Sequence, residues 1–204
     1  MKNIFISGSI SIKSIDDNIK QRLDNIITSQ HTILIGDAKG ADLAIQSYLN
    51  SQGYNNVSIY CSGPVCRNNV GNWEIVNVQI AQKTRNRQFY MVKDEQMALD
   101  SDYGFMLWDG KSAGTINNLF NLVTNDKIGL IYLQSKQLFR TIRNVSEFVD
   151  FISECEPQHI DAIDKKISFR KKLESYQLPV QEQLTFTAIN EPQEKSYDRN
   201  TNKK

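Results

Sequence analysis

The stretch Met97-Ala-Leu-Asp-Ser-Asp-Tyr-Gly-Phe-Met-Leu-Trp-Asp-Gly-Lys-Ser-Ala-Gly-Thr115 decides how the rest of the chain is read. Its middle, Tyr103 to Trp108, is apolar on both faces, the pattern of a strand buried at the centre of a parallel sheet. Directly after it comes a turn rich in glycine and small hydroxyls, Asp109-Gly110-Lys111-Ser112-Ala113-Gly114-Thr115, and from Ile116 to Val123 the apolar residues recur at helical spacing. Glycine lets backbone N–H groups come close to an anion, and the start of the following helix adds unpaired donors and a positive dipole end. Strand, turn and helix together make a unit suited to holding a phosphate.

The same unit recurs twice toward the N-terminus. Asn3-Ile-Phe-Ile-Ser7 is a short strand ended by Gly8 and Ser9. Ser14-Ile-Asp-Asp17 then offers an N-cap to a helix with Ile15, Ile19, Leu23, Ile26 and Ile27 on one stripe. Thr32-Ile-Leu-Ile35 runs into Gly36-Asp37-Ala38-Lys39-Gly40-Ala41-Asp42, followed by Ala41, Ala44, Ile45, Tyr48 and Leu49 at helical spacing. Val57-Ser-Ile-Tyr60 is a third strand, and the span from Cys61 to about Gln79 is the longest irregular stretch; loops of that length are usually functional or disordered. A charged helix is predicted from about Lys83 to Leu99, and Ile128 to Leu133 is a further strand. The alternation predicts an α/β fold, a Rossmann-like doubly wound, mainly parallel sheet of about five or more strands with helices on both faces. Residues 1–133 form this domain. Residues 134–174 are expected to be a helical extension packed on the core, with helices over Val145–Ile152 and Asp161–Leu173. Residues 175–204 are expected to be a polar, mobile tail.

Composition narrows the function classes. With 24 Lys+Arg against 23 Asp+Glu the net charge is +1, so nothing in the balance points to nucleic acid or an anionic membrane surface as partner. No apolar run approaches the roughly 20 residues that span a bilayer, and Met1-Lys2 leads into a strand and not a signal-peptide core, so the expected location is cytoplasmic. Cys61, Cys66 and Cys155 are an odd number and are expected to be free thiols. Their spacing is not that of a CxxC motif, and His31 and His159 lie in distant segments, so neither a metal nor another cofactor is expected.

Ligands of open parallel sheets bind at the carboxyl ends of the strands, near the point where strand order reverses. The candidate binding residues are therefore Ser7, Gly8 and Ser9 in the first loop, Gly36, Asp37, Gly40 and Asp42 in the second, and Gly110, Lys111, Ser112, Gly114 and Thr115 in the third. A further polar group, Arg67, Arg85, Lys93, Asp94 and Glu95, lies between the long stretch and the Tyr103–Trp108 strand. Asp94 and Glu95 would point to different sides of a helix, which leaves room for one of them in a cleft. Trp73, Phe89 and Tyr90 read equally as core or as an interface, the basis of a reading without any ligand.

Two of these segments also resemble a known family. Gly36-Asp37-Ala38-Lys39-Gly40-Ala41-Asp42 and the Trp108-Asp-Gly-Lys-Ser-Ala-Gly-Thr115 loop are similar to motifs of the SLOG superfamily of Rossmann-like nucleotide-binding domains, in particular its small bacterial members. The similarity covers most of residues 1–133. It implies a nucleotide pocket over the strand ends, used in related proteins for binding or for cleaving an N-glycosidic bond, and association into homo-oligomers through helices beside the sheet. The lonely-guy type phosphoribohydrolases carry a Gly-Thr-x-x-Glu sequence that aligns with Gly114-Thr115, and their glutamate position falls on Asn118. Cleavage needs a carboxylate near the developing oxocarbenium charge. Nucleoside deoxyribosyltransferases, which resemble this fold, use a glutamate nucleophile; the candidates here are Glu95, Asp94 and Asp109, with Arg85 or Lys93 on a phosphate. The expectations are thus a module that binds or senses a nucleotide or a nucleotide-derived phosphate, or a nucleotide N-glycosidase or (deoxy)ribosyltransferase.

Overall fold

The computed structural model describes residues 1–79 and 87–177. Seven strands form one sheet: β1 (Asn3–Gly8), β2 (Thr32–Gly36), β3 (Val57–Ser62), β4 (Glu74–Val78), β5 (Tyr103–Trp108), β6 (Ile128–Leu133) and β7 (Leu138–Ile142). Their order is β4-β3-β2-β1-β5-β6-β7, parallel except for β7, which runs antiparallel to β6. The order reverses between β1 and β5, where Ile6 pairs with Phe105 and Gly8 with Leu107. That junction is the topological switch point, and the fold is the Rossmann-like doubly wound α/β class.

The helices of the parallel part are α1 (Asp17–Thr28), α2 (Ala41–Ser51), α3 (Arg87–Asp100) and α4 (Ala113–Thr124). One face of the sheet presents Ile4, Ile6, Ile33, Ile35 and Ile59 to the buried stripes Ile19, Leu23 of α1 and Ile45, Leu49 of α2. Burial of each such side chain is worth roughly 1.5–3 kcal/mol, so this layer dominates the stability of the N-terminal half. α3 and α4 pack against each other, α3 on β3 and α4 on β5. Gly104 and Gly129, paired across β5 and β6, leave no side chain under α4, and Leu122 and Leu119 drop into the space. α4 therefore lies close on the sheet, with its first turn at the switch point.

Two strands differ from the sequence reading. β4 falls inside the stretch expected to be irregular: Glu74-Ile-Val-Asn-Val78 is a polar, largely exposed edge strand without a helix between it and β3. β7 falls inside the segment expected to be only helical. Leu138 to Ile142 folds back on β6 after a turn at Gln134–Lys136, and α5 (Val145–Ser153) and α6 (Pro157–Ile167) follow, both in contact with α4. The expected single helix over Asp161–Leu173 is interrupted at Ser168, whose φ is 49°.

The chain divides into two compact units, Met1–Ser168 and Phe169–Lys204; of the second, the described residues form the helix α7 (Phe169–Gln177). Ser175 to Gln177, assigned above to the tail, are the last residues of α7, and the rest of the expected tail lies outside the described residues, as do Arg85 and the predicted start of the charged helix at Lys83. No helix among the described residues is long and apolar enough to cross a membrane.

The cysteines are a correction. Cys61, at the end of β3, and Cys66 are joined in a disulfide, their Cα atoms 5.3 Å apart, and Cys155 alone is free. β3 ends and turns back at Gly63, which brings the two thiols together at a separation too wide to read as a redox motif.

Candidate functional site

All three glycine turns end on the same edge of the sheet, but they are not alike. At Gly8, a side chain would meet Cβ of Ala41 at 2.6 Å and Cβ of Leu107 at 2.8 Å, so the first turn is closed by packing. At Gly36 it would meet Asp42 Oδ2 and Lys93 Nζ, each at 2.6 Å. Gly40 has φ of 78° and sits against the backbone of Ile10, which lets Ala41 N donate to Ser9 O at 3.3 Å and locks the first two turns together. A side chain added at Gly110 or Gly114 would meet nothing within 4 Å, so at its glycines the third turn is open.

The second turn is filled by the protein's own charges. Asp37, 2% exposed, accepts Arg67 Nε at 3.0 Å, Nη2 at 2.5 Å and backbone N at 3.0 Å, and the guanidinium lies 4.4 Å over the ring of Tyr90. Burial alone would raise the Asp37 pKa, but these bonds outweigh it and hold the carboxyl below its usual value. Lys93, 4% exposed, binds Asp94 Oδ1 at 2.6 Å and shares the space over Gly36 with Asp42. Burial works against its charge, yet Asp94 and Asp42 together keep its pKa above the usual lysine value. Asp42, 3% exposed, accepts Ala38 N at 3.2 Å on one oxygen and has no hydrogen bond on the other; burial pushes its pKa up to about 6. Gln46, fully buried and absent from the sequence candidates, pins the cluster by donating to Gly36 O at 2.9 Å and accepting from Val70 N at 3.1 Å. Lys93, expected with Arg85 as the alternative to meet a phosphate, and Arg67, a candidate binding residue, are thus engaged by carboxylates of the chain itself.

At the switch point the arrangement is different. Ser9 Oγ lies 3.3 Å from Thr115 Oγ1 and accepts Asp109 N at 3.1 Å, joining the first turn to the third. Asn118, one turn along α4 from Thr115, donates to Ser7 Oγ at 3.1 Å; its Oδ1 is buried and has no partner. Ser112 stands at the N-cap of α4 without a side-chain cap hydrogen bond, so its hydroxyl leaves the first N–H groups of the helix unused. Lys111, on the exposed rim, supplies a positive charge.

Of the three candidate carboxylates, Asp94 and Glu95 are consecutive on α3 and Asp109 lies in the turn after β5. Asp109 accepts Ser11 Oγ at 2.6 Å on one oxygen, and Lys111 N at 2.9 Å and Ser112 N at 2.8 Å on the other. Burial would raise its pKa, but those bonds hold it below the usual value, and its role is to shape the turn. Asp94 is taken up by Lys93, and Glu95 is exposed. Trp73 and Phe89 are buried, with Trp73 Nε1 donating to Tyr54 O at 2.9 Å, and Tyr90 carries Arg67; they belong to the interior and the charge cluster.

Among the described residues one group of three metal-ligating side chains occurs, Asp37, Cys61 and Cys66, with donor atoms within 4.8 Å of one another. The disulfide occupies both sulfurs and Arg67 both oxygens of Asp37, so this arrangement offers no free ligand set. Comparison of the chain with protein-family models, with curated proteins and with solved structures found no match.

Proposed function

We propose that the chain binds a nucleotide or a nucleotide-derived phosphate at the carboxyl edge of the sheet, with the phosphate on the first turn of α4. Ala113 and Gly114 offer backbone donors, Ser9 and Thr115 hydroxyls flank them, and Lys111 supplies the charge. One observation carries the reading. An open glycine at the start of a twelve-residue helix, where Ser112 makes no side-chain cap bond, stands one turn from a buried side-chain oxygen, Asn118 Oδ1, that has no hydrogen-bond partner among the described residues. Buried polar atoms are rarely left without a partner, which marks this end of α4 as the place where the fold keeps an unused acceptor. The similarity of the third turn to the SLOG phosphate loop supports the same placement. Self-association, which that resemblance implies, is checked by light scattering on the purified protein.

Binding is preferred to cleavage because of the carboxylates. Asp109 and Asp94 are engaged, Glu95 faces solvent, and Asn118 stands where the lonely-guy sequence has its glutamate. A neutral amide stabilises an oxocarbenium ion far less than a carboxylate does.

The test is calorimetric titration with nucleoside mono-, di- and triphosphates, ADP-ribose and cyclic dinucleotides. At least one should bind saturably, and Gly114→Leu should weaken it by roughly tenfold or more without lowering the melting temperature. Silence across the panel overturns the proposal. Chromatography of the same mixtures should show no free base; base release abolished by Asp94→Asn would establish the enzymatic reading instead.

A further inference from the structure

The Asp109–Ser112 turn has a second side. Away from β1 it walls a cleft of about 400 Å³ over the ends of β5 and β6, bounded by the turn at Gln134–Lys136 and by the junction of α5 and α6. That volume lies within the range of small-molecule sites. None of the sequence candidates beyond Asp109, Gly110 and Lys111 belongs to it.

Its base is aromatic. Trp108 and Phe151, 2% and 3% exposed, meet edge to face with ring centroids 5.7 Å apart, and Leu133 and Leu138 extend the apolar lining. The indole is held in place because Trp108 Nε1 donates to Ser112 O at 3.1 Å. The two rings are therefore a rigid buried floor, and the exposed apolar surface of the cleft comes from Leu138.

The charges around it are unequally engaged. Arg140 and Glu154, both on the lining, bind each other at 2.7 Å. Asp109 is occupied by Ser11 and two amides of its own turn. The lining carries Lys111, Lys136 and Arg140 against Asp109, Glu154 and Glu156; of its cations Lys111 and Lys136 are in no ion pair among the described residues, and the start of the eleven-residue helix α6 borders the same space.

We propose that this cleft is a second ligand site, built for a planar apolar anion whose ring lies against Leu133 and Leu138, over the floor made by Trp108 and Phe151, and whose carboxylate or phosphate meets Lys111 and Lys136. It shares Lys111 with the proposed nucleotide site, whose phosphate position lies on the Gly114 side of the turn, and differs from it in Lys136 and the apolar lining. Cys155 lines the cleft, half-buried, with its Sγ 3.2 Å from Phe151 O, and as the free cysteine of the chain it reports on occupancy.

The probe is naphthalene-2-carboxylate, titrated into ¹⁵N-labelled protein under non-reducing conditions. The chain has two tryptophans, so its indole N–H spectrum holds two signals: that of Trp108 should move to saturation while that of Trp73 stays still. Alkylation of Cys155 by iodoacetamide should slow several-fold at saturation. 2-Naphthylmethylammonium, with the same ring and the opposite charge, should bind roughly tenfold more weakly. Lys111→Ala combined with Lys136→Ala, both exposed positions, should erase that preference and leave the melting temperature unchanged. The proposal is overturned if the carboxylate moves neither indole at millimolar concentration, if it moves both alike, if the ammonium compound binds as well, or if the double variant keeps the preference. Free phosphate that shifts Gly114 but not Trp108 supports the first site alone and counts against this one unless the naphthoate succeeds.

Discussion

Gly36-Asp37 at the end of β2 and Asp109-Gly110 at the end of β5 are both glycine–aspartate turns from a parallel strand into a helix, yet the protein has closed one and left the other open. Over Gly36 stand Asp42 and Lys93, supported by Asp94, and Asp37 beside them is clamped by Arg67. At the second turn Asp109 bends back on its own amides, and the helix beyond begins with Gly114 facing empty space. Glycine permits close approach in both cases, but what approaches is set by side chains from elsewhere in the chain. In the first case the guest is the protein itself.

The comparison breaks most easily at Lys93. Replacing Lys93 with Met leaves the buried Asp42 and the half-buried Asp94 near each other without a cation, and loss of one partner of a buried pair costs up to about 3–5 kcal/mol. Urea unfolding measures this; a loss below about 1 kcal/mol would mean that the charges do not hold the β2 turn closed.

Asp42 supplies the next test. Its folded carboxyl keeps its proton up to about pH 6, whereas the unfolded chain loses it near 3.8, so between these values the folded state binds more protons and stability falls as pH rises. A displacement of that size corresponds to at most about 3 kcal/mol. Asp37 and Asp109, whose pKa values are lowered, act in the opposite sense, and their contribution is lost as pH falls below the ordinary carboxylate range. Melting curves of the wild type and Asp42→Asn at pH 4 and pH 7 separate the two: the variant should gain on the wild type at pH 7 and not at pH 4. Equal differences at both pH values would show that Asp42 is ionised throughout.

The smallest effect is also the sharpest. Gly36→Ala forces a methyl group into the space of Asp42 Oδ2 and Lys93 Nζ and should cost about 1–3 kcal/mol. Gly114→Ala meets nothing within 4 Å and, in a helix, should be neutral or stabilising by up to about 1 kcal/mol. Parallel denaturation curves check the pair, and similar losses in both variants would erase the distinction drawn between the turns.

Much of the architecture was legible because buried parallel strands write themselves as short apolar runs. The strands beginning at Asn3, Thr32, Val57, Tyr103 and Ile128, and the stripes of α1, α2 and α4, follow from periodicity alone. β4 was not legible, since an edge strand with Glu74 and Asn77 facing water has no apolar run to display. β7 was hidden likewise by its short, mixed sequence. In the site, residue types were readable and partners were not. Arg67 looks like a phosphate ligand until its contact with Asp37 is seen, and nothing near Asn118 in sequence predicts that Ser7 holds it. Gln46 carried no signal at all, because a single glutamine on an amphipathic helix reads as surface.

The junction of β1 with β5 has a consequence for biosynthesis. Ile4 finds its partner Tyr103 only after most of the sheet has been made, so on the ribosome the first strand waits with one side bare while β2 and β3 assemble on the other. The pocket-bearing end of the molecule is then the last part to take shape, and a chain halted before residue 103 holds the closed turn without the open one.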